Sequence, residues 1–239
     1  MPRAWLTGSF DDFRSWHVRL LDEAAAGGEL HVLLWSDRLV REQTGQPPRF
    51  PEAERQYLVA AMRYVHTVTV VDRLEPPAAT ARDDVWVLAE SADTPALRQL
   101  GTRAGCACRV IPESDLKRFP EPALLRVPAS PRKKVVVTGC FDWFHSGHVR
   151  FFEEVSELGD LYVVVGNDAN IRYLKGAGHP LFPQNERRYV VGAVRYVTAA
   201  LISSGMGWLD AEPEIRQLRP DIYAVNEDGD KPEKREFCR

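Results

Sequence analysis

Apolar residues along this 239-residue chain come in two patterns. Short unbroken runs, such as residues 135–138 and 161–165, read as strands buried on both faces. Between and after them, residues 148–158, 185–197 and 212–218 carry apolar positions at helical spacing. Two further strand candidates lie near 199–204 and at 221–225, and a last helix opens near Lys231. Strand alternating with helix predicts an α/β fold, a parallel sheet covered on both sides. In such a sheet, ligands gather at the carboxyl ends of the strands, near a switch in strand order.

The pattern occurs twice. Thr7-Gly-Ser-Phe-Asp-Asp-Phe-Arg-Ser-Trp-His-Val-Arg19 matches Thr138-Gly-Cys-Phe-Asp-Trp-Phe-His-Ser-Gly-His-Val-Arg150. The stretch from Phe50 to Val65 matches that from Phe182 to Val197 with one inserted residue. A fainter match aligns Glu90, Asp93, Pro95 and Arg98 with Glu227, Asp230, Pro232 and Arg235. Repetition at this length predicts two copies of one domain, residues 1–128 and 132–239. Residues 126–134, with proline and lysine, form the join.

Composition narrows the chemistry. A net charge of -3 gives no global attraction to nucleic acid or anionic membrane, so phosphate binding must be local. No apolar run reaches the roughly 18 residues of a membrane helix; the most apolar stretch, 189–204, is broken by Arg195. The N-terminus leads straight into a strand-like segment without a signal-peptide core. Cys106, Cys108, Cys140 and Cys238 form no C-x-x-C pair, so zinc-site spacing is absent and reduced thiols in a cytoplasmic setting are the expectation.

The chemistry concentrates in His145-Ser-Gly-His148. It follows a strand and opens a helix, whose free N–H groups and partial positive charge suit phosphate. Gly139 would allow a tight turn out of the strand, and Gly147 would let a nucleotide lie against bare backbone. Both imidazoles can donate to phosphate oxygens, as a phosphoryl-type transfer requires. A zinc-binding histidine pair would prefer a spacing of four and a third ligand, so no resident metal is expected.

These residues resemble the cytidylyltransferase-like superfamily, whose signature is H-x-G-H after a G-x-F-D turn. The likeness extends through Leu174-Lys-Gly-Ala-Gly-His-Pro180, Glu186-Arg-Arg188 and Arg195-Tyr-Val197. The lysine-glycine segment and Lys231-Pro-Glu233 are most similar to bacterial sugar-phosphate adenylyltransferases. Arg195-Tyr-Val197 and the Gly-Cys-Phe-Asp turn also suit glycerol-3-phosphate cytidylyltransferases, and the tandem arrangement is similar to phosphoethanolamine cytidylyltransferase. The resemblance implies two tandem Rossmann-like nucleotidyltransferase domains. It further implies that His145 and His148 stabilise the reacting α-phosphate and that Lys175 contacts phosphates. Thr138, Gly139, Cys140, Phe141, Asp142 and Gly147 would surround the nucleotide. Arg187 and Arg195 are candidates for phosphate or structural roles. Asn226 and Asp228, in a loop that departs from the family's G-G-D or G-D-D, would contact base or ribose or simply form a turn. The implied reaction transfers CMP or AMP from CTP or ATP, carried with Mg2+, to a phosphorylated alcohol or sugar, with CTP preferred. A non-catalytic nucleotide-binding or scaffold protein is the alternative.

In the first copy the equivalent segment is Arg14-Ser-Trp-His17, and the lysine segment has become Thr44-Gly-Gln-Pro-Pro48. The first copy is therefore expected to be catalytically silent, either packing against the second within the chain or imitating the partner of a homodimer. It also continues past its match to the end of the second copy, through a turn and strand near 103–111. The second copy is accordingly expected to lack a C-terminal strand, supplied by a longer native chain or by another chain.

Overall fold

A computed structural model of the protein describes residues 2–77, 79–120 and 130–238, apart from the side chain of Asp228. The chain divides into two units, Met1–Arg118 and Phe119–Arg239. The division falls before the join read from the sequence, part of which lies outside the described residues. Phe119 belongs with the second unit because its ring packs on Tyr189, centroids 5.6 Å apart, and Pro120 O accepts a hydrogen bond from Arg188.

The first unit runs β1 (Arg3–Gly8), α1 (Ser15–Ala25), β2 (Glu29–Trp35), α2 (Asp37–Thr44), α3 (Glu52–Ala60), β3 (Val65–Val71), β4 (Val85–Ala89), α4 (Pro95–Arg103), β5 (Ala107–Ile111) and α5 (Glu113–Leu116). The second runs β6 (Lys134–Gly139), α6 (Ser146–Ser156), β7 (Asp160–Val165), α7 (Asp168–Lys175), α8 (Gln184–Gly192), β8 (Val197–Ile202), α9 (Glu212–Leu218), β9 (Ile222–Tyr223) and α10 (Pro232–Phe237). The sheets have the orders β3-β2-β1-β4-β5 and β8-β7-β6-β9, with every pairing parallel. The predicted α/β class holds: two parallel sheets flanked by helices. Among the described residues the second sheet has no counterpart of β5.

The strands are continuous apolar runs because both faces are covered. Val135, Val136 and Val137 are fully buried, as are Leu161, Tyr162 and Val163. Helix α6 sends Val149, Phe152 and Val155 into this core; burying a side chain such as Phe152 contributes about 1.5–3 kcal/mol. In each sheet the second and third strands slip by one residue, between Leu30 and His31 and between Leu161 and Tyr162. The unpaired extra residues of these bulges are His66 and Thr198.

Two boundaries differ from the sequence reading. The helix expected over 185–197 stops at Gly192, because Val197 already pairs with Leu161 in β8. The segment 168–175, not assigned from periodicity, is helix α7, started by the Asn167 side chain accepting from Asn170 N. In both sheets the order reverses beside the first strand, β6 lying between β7 and β9. The carboxyl end of β6 is thus the expected crevice.

Candidate nucleotide site

At the end of β6 the chain turns through Phe141, whose φ of 50° is left-handed. Such a conformation costs a bulky residue on the order of 1–3 kcal/mol. The Phe141 ring folds back over Gly139, and a Cβ there would lie 2.7 Å from it. Gly139 therefore makes room for the ring rather than supplying the turn. Phe10 (φ 51°) and Gly8 repeat the arrangement in the first unit.

Asp142 is buried. Its Oδ1 accepts from Leu181 N at 2.6 Å and Phe182 N at 3.1 Å, and its Oδ2 meets His179 Nδ1 at 3.1 Å. Burial opposes ionisation, yet these hydrogen bonds hold the carboxyl below its ordinary range. Its work is to clamp the loop before α8. Asp11 does the same to Arg49 N and Phe50 N.

His145 caps α6. Its Nδ1 accepts from Gly147 N at 3.1 Å, while His148 Nδ1 accepts from His145 N at 3.4 Å. This is a reciprocal capping box built from two imidazoles, 4.0 Å apart. A ring nitrogen that accepts from an amide carries no proton, so in the neutral ring the proton sits on Nε2. Phe141 and Phe144 pack against His148. Burial first, then the nearby His145 and Lys175, push the His148 pKa down to about 4. Both imidazoles line the cleft as Nε2 donors. Gly147 does not line it; a Cβ at that position would meet the His145 ring at 2.9 Å. The closeness of the His145 ring is by itself a reason for glycine at this position.

The cleft has a volume of about 670 Å³ and includes Thr138, Gly139, Cys140, Phe141, Lys175 and Asn226, a size suited to a small-molecule ligand. Lys175 ends α7, exposed at the cleft. Cys140 is a thiol raised in pKa by burial. Asn226 turns its Oδ1 to Gly229 N at the rim, so it forms a turn. Asp228 is flanked by these two residues, but its side chain lies outside the described residues.

Two arginines fall elsewhere. Arg187 is buried: Nε donates to Phe182 O, Nη1 to Cys140 O, and Nη2 to Gly166 O and Asp168 Oδ1. With its guanidinium bound to the fold, the structural alternative applies. Arg195 is exposed in the turn before β8, at the amino end of the sheet and away from the cleft. It is not among the residues that line the cleft.

The sequence reading missed Lys234. This buried lysine on α10 donates to Thr138 Oγ1 at 3.2 Å, and Thr138 shares a 2.7 Å hydrogen bond with Tyr223 OH. Burial lowers the Lys234 pKa and raises that of Tyr223 to about 12. The fainter repeat match held the signal: Pro95 aligned with Pro232 sets Leu97 opposite Lys234, a cation in a core position. His179 was also missed, although it stands inside the lysine-glycine segment.

In the first unit the matching cavity is about 170 Å³. Trp16 stacks on His17 with centroids 3.5 Å apart, and Arg14 pairs with Asp12. Burial, then Arg14, depress the His17 pKa to about 3. Its Nδ1 accepts from Arg14 N, so the histidine still caps α1.

A parallel α/β unit whose strand-order switch carries two imidazoles at a helix N-terminus has the arrangement that suits an anionic ligand. The cytidylyltransferase-like family model matches residues 136–232. The FAD synthase of Pyrococcus horikoshii is 41% identical over 104 residues, covering 42% of this chain and 68% of that protein. The FAD synthase of Ferroglobus placidus is 39% identical over 97 residues, covering 40% and 60%. The bifunctional protein HldE of Nitratiruptor sp. is 38% identical over 120 residues, covering 48% of this chain and 25% of that protein. The chain thus spans about three fifths of the length of most of the archaeal FAD synthases it matches. It belongs to the cytidylyltransferase-like family of nucleotidyltransferases.

Proposed function

We propose that the second unit transfers AMP from ATP to a phosphorylated acceptor. An acceptor phosphate oxygen attacks the α-phosphorus, the bond to the oxygen bridging to the β-phosphorus breaks, and pyrophosphate leaves. The observation that carries this reading is the pair of Nε2–H donors of His145 and His148, fixed by their own capping bonds before any ligand arrives. Such donors stabilise charge on the equatorial oxygens without a proton being moved. Lys175 and Lys234 add positive charge at the mouth and on the floor of the cleft. The triphosphate enters as its Mg2+ complex. In that complex the phosphates themselves supply oxygen ligands to the ion. Trp143 and Trp208, each nearly half exposed, give the cleft an aromatic lining suited to a base or a flavin ring, and Lys231 Nζ stands 5.0 Å from the Trp208 ring.

ATP takes precedence over CTP for two reasons. The relatives named FAD synthase make a product containing an adenylyl group, which points to FMN as the first acceptor to try. Arg195, one of the features that favoured CTP, is remote from the cleft. The test is pyrophosphate release with each of ATP, CTP, GTP and UTP against FMN and a panel of sugar and alcohol phosphates. Release with ATP and one acceptor is expected. Release with CTP alone would restore CMP transfer. Nucleotide binding with no release from any pair would leave a non-catalytic binding protein.

A further inference from the structure

Among the described residues, Glu29, His31 and His66 form a cluster in the first unit whose ligand atoms lie within 4.8 Å of one another. Glu29 opens β2 and His31 follows on the same strand, at the amino end of the sheet and away from the helix-capping His17. His66 is the extra residue of the bulge in β3, and a bulge re-aims a side chain. The two imidazole centroids are 5.3 Å apart, and His66 Nε2 lies 3.8 Å from Glu29 Oε2.

His31 is held as metal ligands usually are. Its Nδ1 is 2.7 Å from the Thr67 hydroxyl and its ring stacks on Trp5, so one nitrogen is fixed by an outer partner. Its Nε2 is buried and has no hydrogen-bond partner. A buried polar atom of this kind is satisfied by an ordered water or an ion, and here a carboxylate and a second imidazole stand beside it. The second sheet has the same bulge without the imidazoles: Tyr162 and Thr198 occupy the places of His31 and His66. The fold therefore does not require the histidines.

We propose that Glu29, His31 and His66 bind one divalent first-row transition-metal ion, zinc foremost, with water as the fourth ligand. Two imidazoles and a carboxylate are a donor set zinc accepts, and copper(II), nickel(II) and cobalt(II) share the preference for imidazole. Bonds of about 2.0 Å in a tetrahedron set ligand atoms roughly 3.3 Å apart. The separations, 3.8 Å between Glu29 and His66 and up to 4.8 Å within the cluster, close by movement of the Glu29 and His66 side chains, both about half exposed. The ion would tie β2 to β3.

The test is calorimetric titration of the chelator-treated full chain with Zn2+, together with the visible absorption of its Co2+ form. One ion per chain is expected, with the intense absorption of tetrahedral Co2+. His66→Ala and His31→Gln should each weaken binding by more than about 100-fold, since losing a ligand costs more than the 10–100-fold of losing an outer partner. His66→Ala, at an exposed position, decides the matter if His31→Gln fails to fold. His145→Ala should leave the binding intact, which separates this site from the histidines of the cleft. No binding at 100 µM free ion on the order of weak surface sites, or binding unchanged by His66→Ala, would overturn the proposal.

Discussion

At the scale of single residues, the imidazoles of His145 and His148 each turn one nitrogen to the backbone and leave the other for the cleft. Removing either donor should cut turnover by about 10²–10³. Steady-state rates of His145→Ala and His148→Ala check this, with circular dichroism to confirm the fold; His17→Ala should leave the rate unchanged. The same residues make stability depend on pH. The His148 pKa falls from 6.5 to about 4 on folding, and that of His17 to about 3. The unfolded chain therefore takes up protons first. Their contribution is complete above pH 6.5 and is lost as pH falls toward those folded values. For His148 alone the loss by pH 4 is about 3 kcal/mol. Urea midpoints at pH 7 and pH 4.5 should differ, and His148→Gln should narrow the difference. The sequence showed this pair and Lys175 because a short motif carries them. Lys234 escaped it because a lysine on a short amphipathic helix looks like a solvated residue until the floor of the cleft is seen above it.

At the scale of elements, one arginine joins each unit's strand ends to its helices. Arg187 binds the ends of β6 and β7, the start of α7 and the loop before α8. Arg55 repeats this with the carbonyls of Ser9, Trp35 and Phe50 and with Asp37. Either arginine changed to alanine strands several carbonyls and should cost about 3–5 kcal/mol, read by urea unfolding. Glycine 147 gives the converse. Gly147→Ala should lower turnover, because its Cβ would push the His145 ring from its cap, while melting changes little as the helix propensity of alanine offsets the lost cap. A full rate in that variant would refute the packing argument. Helix and strand identities were legible where periodicity was strong, as in β6, β7 and α6. The 185–197 boundary was not, because apolar residues continue from α8 into β8 and only the pairing of Val197 with Leu161 ends the helix. Helix α7 was hidden by its brevity and by the polar residues that cap it.

At the scale of the whole molecule, the two units share strand order, bulge and arginine hub but differ where ligand would sit. The second has a cleft of about 670 Å³ and the first a cavity of about 170 Å³ beneath Trp16. Calorimetry with a nucleoside triphosphate should give one site per chain; two equivalent sites would contradict the silent first unit. The internal repeat was legible because both copies need the same turn, hub and strand pattern. The difference between the two cavities was foreshadowed by Arg14 and Trp16, the latter stacked on His17. What no pattern revealed was that Gly139 and Gly147 serve the rings of Phe141 and His145, because a glycine does not state which neighbour needs the space.

The capping bond of His17 has a consequence for telling working sites from idle ones. That histidine keeps its backbone partner in a unit whose cavity is only about 170 Å³, so the scaffold alone gives reason to retain it. A histidine found at this place in any related chain therefore certifies an intact helix start, not a working catalyst. The informative position is the one beside it, glycine at Gly147 in one unit and, in the other, Trp16 stacked on His17.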